Sequence, residues 1–146
     1  FDPAPVQVLP LEAYANIDYL IPNETEASVL AGFPVKDPVT AVNAAVLLRS
    51  KGVDTVIIKM GDQGVSYATD GDKGHLPGFR VKVVDTVAAG DAFNGAFSVA
   101  IAEGKPFRNA VTWAMAAGAL AVTKRGAHPS MPSREDVERL ILEQHR

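Results

Sequence analysis

The sequence has 146 residues, of which 47% are hydrophobic, carries a formal net charge of −3 at pH 7 and contains no cysteine. This length predicts one domain with enough apolar material for a packed core. The acidic balance, without any block of five basic residues, argues against nucleic-acid binding. The lack of cysteine excludes disulfides and thiolate metal sites, and no apolar stretch is long enough to cross a bilayer. We therefore expect a cytoplasmic protein with no membrane partner.

The first third of the chain predicts two helices after a pair of short apolar segments. Residues 6–9 and 17–21 are apolar and bounded by Pro or Asn, which suits strand or loop pieces. Residues 23–31 have helical spacing and are closed by Gly32. A second helix is predicted over 39–51, where alanines and leucines supply the apolar face.

The middle of the chain has strand character. A continuous apolar run at 55–58 is typical of a strand that is covered on both faces. A further strand is predicted over 64–68, followed by a turn over 69–74. Residues 80–84 alternate and are rich in valine, which predicts another strand.

The last third of the chain is predicted to be helical. Apolar residues at helical spacing indicate helices over 91–103, 107–123 and 134–145, with Ser133 as the N-cap of the last one. Strands that alternate with helices are typical of an α/β fold with parallel strands.

The most informative stretch lies between the last predicted strand and the helix at 91–103. Small residues and a glycine come directly before Asp91. The first N–H groups of a helix have no partner within it, and the helix dipole favours an anion there. Phosphate at such a site would repel an aspartate, so we infer that Asp91 takes a proton from an attacking hydroxyl. The alternative is an ordinary N-cap aspartate.

This stretch, Asp85-Thr86-Val87-Ala88-Ala89-Gly90-Asp91, resembles the second signature of the ribokinase (PfkB) family of sugar kinases, Asp-Thr-x-Gly/Ala-Ala-Gly-Asp. Other segments that resemble the family follow in family order, at residues 1–5, 22–27, 61–64, 77–79 and 124–130. The resemblance implies a ribokinase-like three-layer α/β/α sandwich with a mostly parallel central sheet. It also implies that residues 1–146 are the C-terminal, ATP-binding and catalytic part of such a kinase.

The resemblance implies a transferase: an ATP-dependent carbohydrate kinase with ATP and a small sugar as its partners. D-ribose, phosphorylated at O5, is the favoured substrate, with Asp91 as general base and the N–H groups of Ala89, Gly90 and Asp91 as an anion hole. The family's sugar-recognition segment and its dimer-forming lid belong to the half that precedes this one. We therefore expect a full-length homodimer and little turnover from these residues alone.

Two alternatives stay open. The chain could belong to another kinase of the family, acting on fructose, 2-keto-3-deoxygluconate, deoxyribose or a nucleoside. It could also be a nucleotide-binding regulatory domain that has lost catalysis, although the presence of Asp91 argues against this.

The resemblance also implies a nucleotide site. Its loop is Lys59-Met60-Gly61-Asp62-Gln63-Gly64, where glycine allows backbone to approach a phosphate closely. Asn23, Gly90 and, at the adenine, Met115 complete the set. The alternatives are a plain β-turn for the loop and a core position for Met115.

Two metal sites are implied as well. Glu26 would organise water around Mg²⁺, which keeps several waters in proteins, although Asn23 and Glu26 also fit a helix-capping pattern. Six positions match the family's monovalent-cation site, usually for K⁺, mostly through backbone carbonyls: Asp85, Val87, Ala121, Lys124, Gly126 and Ser130. The alternative for Asp85 is a carboxylate that caps a turn.

Overall fold

The computed structural model describes residues 1–144, and the chain divides into two compact units, Phe1–Pro77 and a second that begins at Gly78. The first unit has three helices and four strands. The helices are Leu11–Tyr14 (α1), Glu24–Ala31 (α2) and Pro38–Ser50 (α3). The strands are Tyr19–Leu20 (β1), Thr55–Lys59 (β2), Val65–Ala68 (β3) and Lys73–Leu76 (β4).

The four strands form one mixed sheet in the order β1-β2-β3-β4. Only β1 and β2 run parallel, whereas β2 with β3 and β3 with β4 are antiparallel. The expectation of a mostly parallel sheet is therefore wrong for the described strands. The reason is the length of the connections, because a parallel pair needs a crossover of a dozen or more residues, and the connections between β2, β3 and β4 are far shorter.

Helices α2 and α3 begin at reciprocal capping boxes and pack on this sheet. Asn23 is the N-cap of α2, and Asp37 is the N-cap of α3, where Pro38 stands at the first position. Gly32 ends α2 in the left-handed conformation with φ of 80°, as predicted. Val56, Ile57 and Ile58 of β2 are fully buried, and Val56 and Ile58 join the two helices in one apolar core.

The second unit is helical in its described part. It contains Ala89–Ala102 (α4), Phe107–Ala121 (α5) and Arg134–Gln144 (α6). The Ser133 hydroxyl accepts a hydrogen bond from the N–H of Asp136 at 3.2 Å, which confirms Ser133 as a cap. The predicted end of this helix at residue 145 lies outside the described residues.

The strand predicted at 80–84 is wrong, because these residues have no regular secondary structure. The N–H groups of Val84 and Asp85 both donate to the carbonyl of Val122, at 2.7 and 3.1 Å, and the carbonyl of Arg80 accepts from the side-chain amide of Gln144 at 3.3 Å. The segment therefore lies beside the end of α5 and forms no strand ladder. In the first unit, β4 occupies part of the stretch predicted as a turn at 69–74.

Helices α4 and α5 pack closely along their small and aromatic residues. The rings of Phe93 and Phe97 stack with centroids 6.4 Å apart, and Phe107 meets Phe97 edge-on at 6.5 Å. A Cβ atom added at Gly118 of α5 would lie 3.3 Å from the carbonyl oxygen of Ala89. Glycine at this position therefore lets α5 approach the first residue of α4. Across residues 1–144, no helix combines the length and apolar character that a membrane span requires.

Candidate functional site

The loop before α4 ends in a strained residue. Ala88 is the N-cap of α4 and adopts φ of 62° and ψ of 11°, the left-handed conformation that non-glycine residues avoid. This kink turns the chain from the loop directly into the helix. Sequence reasoning missed it, although the alternation of Gly and Ala at this position of the family signature is a signal of such a backbone.

The helix start that follows offers two open donors. The N–H of Ala89 makes a long bond of 3.4 Å to the Thr86 carbonyl, and the N–H of Ala92 donates to the carbonyl of Ala88. Among residues 1–144, the N–H groups of Gly90 and Asp91 have no acceptor. An α-helix of 14 residues directs its dipole toward this point, so the loop can receive an anion.

Asp91 lies beside these donors and is exposed. It is the third residue of α4 rather than its N-cap, so the simple capping interpretation is wrong. Within the described part of the chain its carboxylate has no hydrogen-bond or ion-pair partner. An exposed, uncommitted carboxylate next to an anion site is suited to accept a proton from a bound hydroxyl.

Asp85 holds the loop in place. Its Oδ1 accepts from the N–H of Val87 at 3.0 Å, and its Oδ2 accepts from the N–H of Gly126 at 3.0 Å. These bonds from Gly126 and Val87, together with the positive charge of Arg125, hold the pKa of Asp85 below its usual value. The turn-capping alternative is therefore confirmed, and the carboxylate also connects the loop to the turn after α5.

The other positions predicted for a monovalent cation lie in the same unit. Ala121 accepts from the N–H of Lys124 at 3.4 Å, and the buried Ser130 donates its hydroxyl to Ala127 at 2.7 Å. Over the described residues, the carbonyl oxygens of Val87 and Gly126 accept no hydrogen bond. Oxygen donors of this kind fit an alkali cation, so the cation site stays a prediction that the donor chemistry supports.

Met115 lies on α5 and is buried, with 9% of its surface exposed. This agrees with the core alternative, and a contact with adenine stays a prediction. Gly118, one turn further along α5, brings that helix against the first residue of α4. The packing of α5 therefore fixes the point at which the loop ends and α4 begins.

In the first unit, the loop between β2 and β3 has the features expected of a phosphate-approaching loop. The N–H of Met60 donates to the carbonyl of Gly64 at 2.8 Å and closes the loop at its buried base. The residues between form a short, exposed 3₁₀ turn, Gly61–Gln63. The N–H groups of Gly61 and Asp62 find no acceptor within residues 1–144. Gly61 has φ of 57°, and an added Cβ would meet no atom within 4 Å, so its face is open to a ligand.

Lys59 is engaged at the end of β2. Its Nζ lies 3.5 Å from Oδ2 of Asp2, and only 15% of its side chain is exposed. Its backbone N–H donates to the carbonyl of Pro22 at 2.9 Å, which places the loop beside the start of α2. A role for Lys59 at a phosphate stays a prediction and would require this ion pair to open or to be shared.

Asn23 and Glu26 cap α2 reciprocally. Asn23 Oδ1 accepts from the N–H of Glu26 at 2.9 Å, and Glu26 Oε2 accepts from the N–H of Asn23 at 2.8 Å. The capping alternative is confirmed, and it leaves Oε1 of Glu26 available to a metal-bound water. Burial, followed by the negative charge of Asp62, raises the pKa of the neighbouring Glu24. The free Oε1 of Glu26 leaves a water-mediated contact with Mg²⁺ as a prediction.

The described residues contain no group of three or more His, Asp or Glu side chains placed to hold a metal ion directly. A contact of Glu26 with Mg²⁺ through water stays a prediction.

Comparison with known proteins places the fold in a family. Residues 1–134 match the pfkB family of carbohydrate kinases. The chain is 44% identical over 135 residues to the ribokinase of Haemophilus influenzae, an alignment that covers 92% of this chain and 44% of that protein. It superposes on ribokinase from Thermotoga maritima with a TM-score of 0.88 and 44% identity, covering 97% of this chain and 48% of that one. For ribokinase from Arabidopsis thaliana complexed with ribose and ATP, the TM-score is 0.85 at 37% identity, with 92% and 44% covered.

The chain thus spans about half the length of the relatives that it matches. Its α/β, ribokinase-like fold class is confirmed by these superpositions. The family match covers residues 1–134, which include the loop before α4 and the loop after β2. The chain therefore belongs to the pfkB family of carbohydrate kinases.

Proposed function

We propose that this chain is the nucleotide-binding and catalytic part of an ATP-dependent sugar kinase that phosphorylates D-ribose at O5. The observation that carries the proposal is the start of α4, where the exposed Asp91 lies beside two N–H groups that find no acceptor among residues 1–144. The similarity to ribokinases, one of them complexed with ribose and ATP, supports the choice of substrate.

In this mechanism Asp91 accepts the proton of the sugar hydroxyl while the hydroxyl oxygen forms its bond to the γ-phosphorus of ATP. The bond from that phosphorus to the β,γ-bridging oxygen breaks, and ADP leaves. Negative charge is spread over the γ-phosphoryl oxygens, and the N–H groups of Gly90 and Asp91, with the dipole of α4, stabilise it. Phosphoryl transfer needs mainly positioning and charge stabilisation, so this short segment carries the essential parts.

The loop after β2 is assigned to the nucleotide phosphates. Gly61 presents backbone without a side chain, and the N–H groups of Gly61 and Asp62 are open donors. A Cβ at Gly61 would meet no protein atom, so the position is glycine for its left-handed backbone and for the space that it leaves to a ligand.

Two cations are assigned to oxygen donors already described. Glu26 would hold a water of Mg²⁺ through Oε1, and Asp85 with the carbonyls of Val87 and Gly126 would face K⁺. When bound, Mg²⁺ neutralises phosphate charge during transfer. The chain's own contribution is to fix these oxygens: the capping box fixes Glu26, and two backbone N–H groups fix Asp85.

The test is an ADP-release assay on the full-length gene product with Mg-ATP and K⁺, comparing wild type with Asp91→Asn. The panel contains ribose, 2-deoxyribose, fructose, 2-keto-3-deoxygluconate and adenosine. Loss of a general base should lower kcat by about 10²- to 10⁴-fold, while ATP binding, measured by calorimetry, stays within about twofold of wild type. Asp70→Asn is the matched control, since the Asp70 side chain is 99% exposed in a turn and should have no effect.

Each outcome decides between the alternatives. Ribose turnover that requires Asp91 supports the proposal, and a preference for another sugar keeps the mechanism but changes the substrate. ATP binding without turnover on any of the sugars would favour the regulatory-domain alternative. Wild-type turnover by Asp91→Asn would refute Asp91 as the base.

A further inference from the structure

A buried polar cluster lies directly behind the loop after β2. Ser66 is fully buried on β3, and its Oγ lies 2.9 Å from Nδ1 of His75 on the neighbouring strand β4. The same oxygen lies 3.4 Å from the sulfur of Met60 and 3.5 Å from the carbonyl oxygen of Pro38. One hydroxyl therefore contacts the edge strand, the first residue of α3 and the base of the loop.

A serine paired with a histidine is also the arrangement of a nucleophile and its base. Burial excludes that interpretation here, because Ser66 has no exposed surface and a substrate cannot reach its Oγ. Any functional role of the cluster is therefore to position the residues that Ser66 contacts.

Counting the donors and acceptors of Ser66 indicates the direction of its hydrogen bond with His75. A serine hydroxyl has one hydrogen to donate and two lone pairs that accept. When Nδ1–H of His75 donates to Ser66 Oγ, the hydroxyl hydrogen is free to donate to Met60 or Pro38. The reverse direction would use that hydrogen on His75 and leave both other contacts without one. The donor form of His75 is therefore the one that makes full use of Ser66.

Met60 is the residue through which the cluster reaches the loop. Its side chain is 1% exposed, and its N–H closes the loop by donating to the Gly64 carbonyl at 2.8 Å. The next residue, Gly61, carries one of the two open N–H groups. A thioether has three rotatable bonds and fills space adaptably, so its position depends on what packs against the sulfur.

We propose that Ser66, fixed by His75, is a positioning residue for nucleotide binding: it holds Met60 and so sets the direction of the open N–H groups of Gly61 and Asp62. This inference rests on the proposed assignment of the loop to the nucleotide phosphates. One buried hydrogen bond makes a modest contribution, so its loss should weaken ATP binding about three- to tenfold.

The experiment measures the Kd and KM for ATP of the full-length protein and its variants, together with kcat and the KM for the sugar. Ser66→Ala should raise both ATP constants about three- to tenfold and leave kcat and the sugar KM within about twofold. His75→Leu should act in the same direction. His75→Asn restores a donor near the position of Nδ1 and should recover the wild-type constants to within about twofold.

Tyr67→Phe is the matched control for a purely structural effect. It removes a hydroxyl from the adjacent buried position of the same strand, where Tyr67 donates to Asp72 at 3.1 Å. It should lower the melting temperature without raising the KM for ATP. Where Ser66→Ala does not fold, the two His75 variants on the half-buried edge strand give the same comparison.

The inference is overturned by a folded Ser66→Ala protein that binds ATP as the wild type does, or by a Tyr67→Phe protein with an equally raised KM. A wild-type protein that binds no ATP would refute the proposed function as well. These results differ from the failure of Asp91→Asn, so the two proposals are tested separately.

Discussion

Ala88→Gly should stabilise the protein, whereas the same substitution in the interior of a helix or strand destabilises. Ala88 has φ of 62° and ψ of 11°, and an L-residue in the left-handed region costs about 1–2 kcal/mol. Glycine has no such cost, but its unfolded state is freer, which offsets about 0.5–1 kcal/mol. We therefore expect the free energy of unfolding to rise by about 0.5–1 kcal/mol.

Urea denaturation monitored by circular dichroism measures this difference, with an unchanged m-value showing that the same two states are compared. For a chain of this size the melting temperature should rise by about 1–4 °C. The control is Ala102→Gly at the exposed C-terminal residue of α4, which should destabilise by up to about 1 kcal/mol. A lower free energy of unfolding for Ala88→Gly would show that the left-handed backbone stores no strain and would refute the reasoning.

Two further predictions concern the same loop. Gly118→Ala places a Cβ 3.3 Å from the Ala89 carbonyl, so we expect the start of α4 to shift. The free energy of unfolding, measured by thermal or urea denaturation, should fall by about 1–3 kcal/mol, and kcat should fall as well. Unchanged values of both would contradict the close approach. The lowered pKa of Asp85 means that its stabilisation is fully present above the unfolded-state pKa of about 3.9 and is lost as pH falls through the folded value. The difference in urea midpoint between wild type and Asp85→Asn should accordingly shrink from pH 7 to pH 3, and a constant difference would show that the charge of Asp85 does not stabilise the fold.

The sequence was most informative where local chemistry decides the structure. Asn23 with Glu26, and Ser133 with Asp136, cap their helices as the spacing indicates, and Gly32 ends α2 in the left-handed form. These contacts lie within four residues along the chain, so the pattern alone is sufficient. The helix start at Asp91 was also located to within two residues, because the small residues before it leave few alternatives.

The incorrect predictions concern segments whose secondary structure depends on contacts with residues distant in the sequence. The alternation at 80–84 has the period of a strand, but a strand also needs a partner strand, and the bonds that these residues make go to Val122 and to the side chain of Gln144 instead. Conversely, Lys73–Leu76 contains glycine and lysine, which are poor strand formers, and becomes β4 because β3 supplies the ladder. The contact between Ser66 and His75 depends on that ladder, so no local pattern could have indicated it.

The carboxylate of Asp85 joins two segments that are 41 residues apart, one before α4 and one after α5. The native position of the loop before α4 therefore depends on the turn at Gly126. The same carboxylate also accepts from the N–H of Val87, so two backbone amides depend on one side chain. We therefore expect the amides of Val87 and Gly126 to gain exchange with solvent together when Asp85 is displaced, since the loop beside Asp91 is fastened to the turn that follows α5.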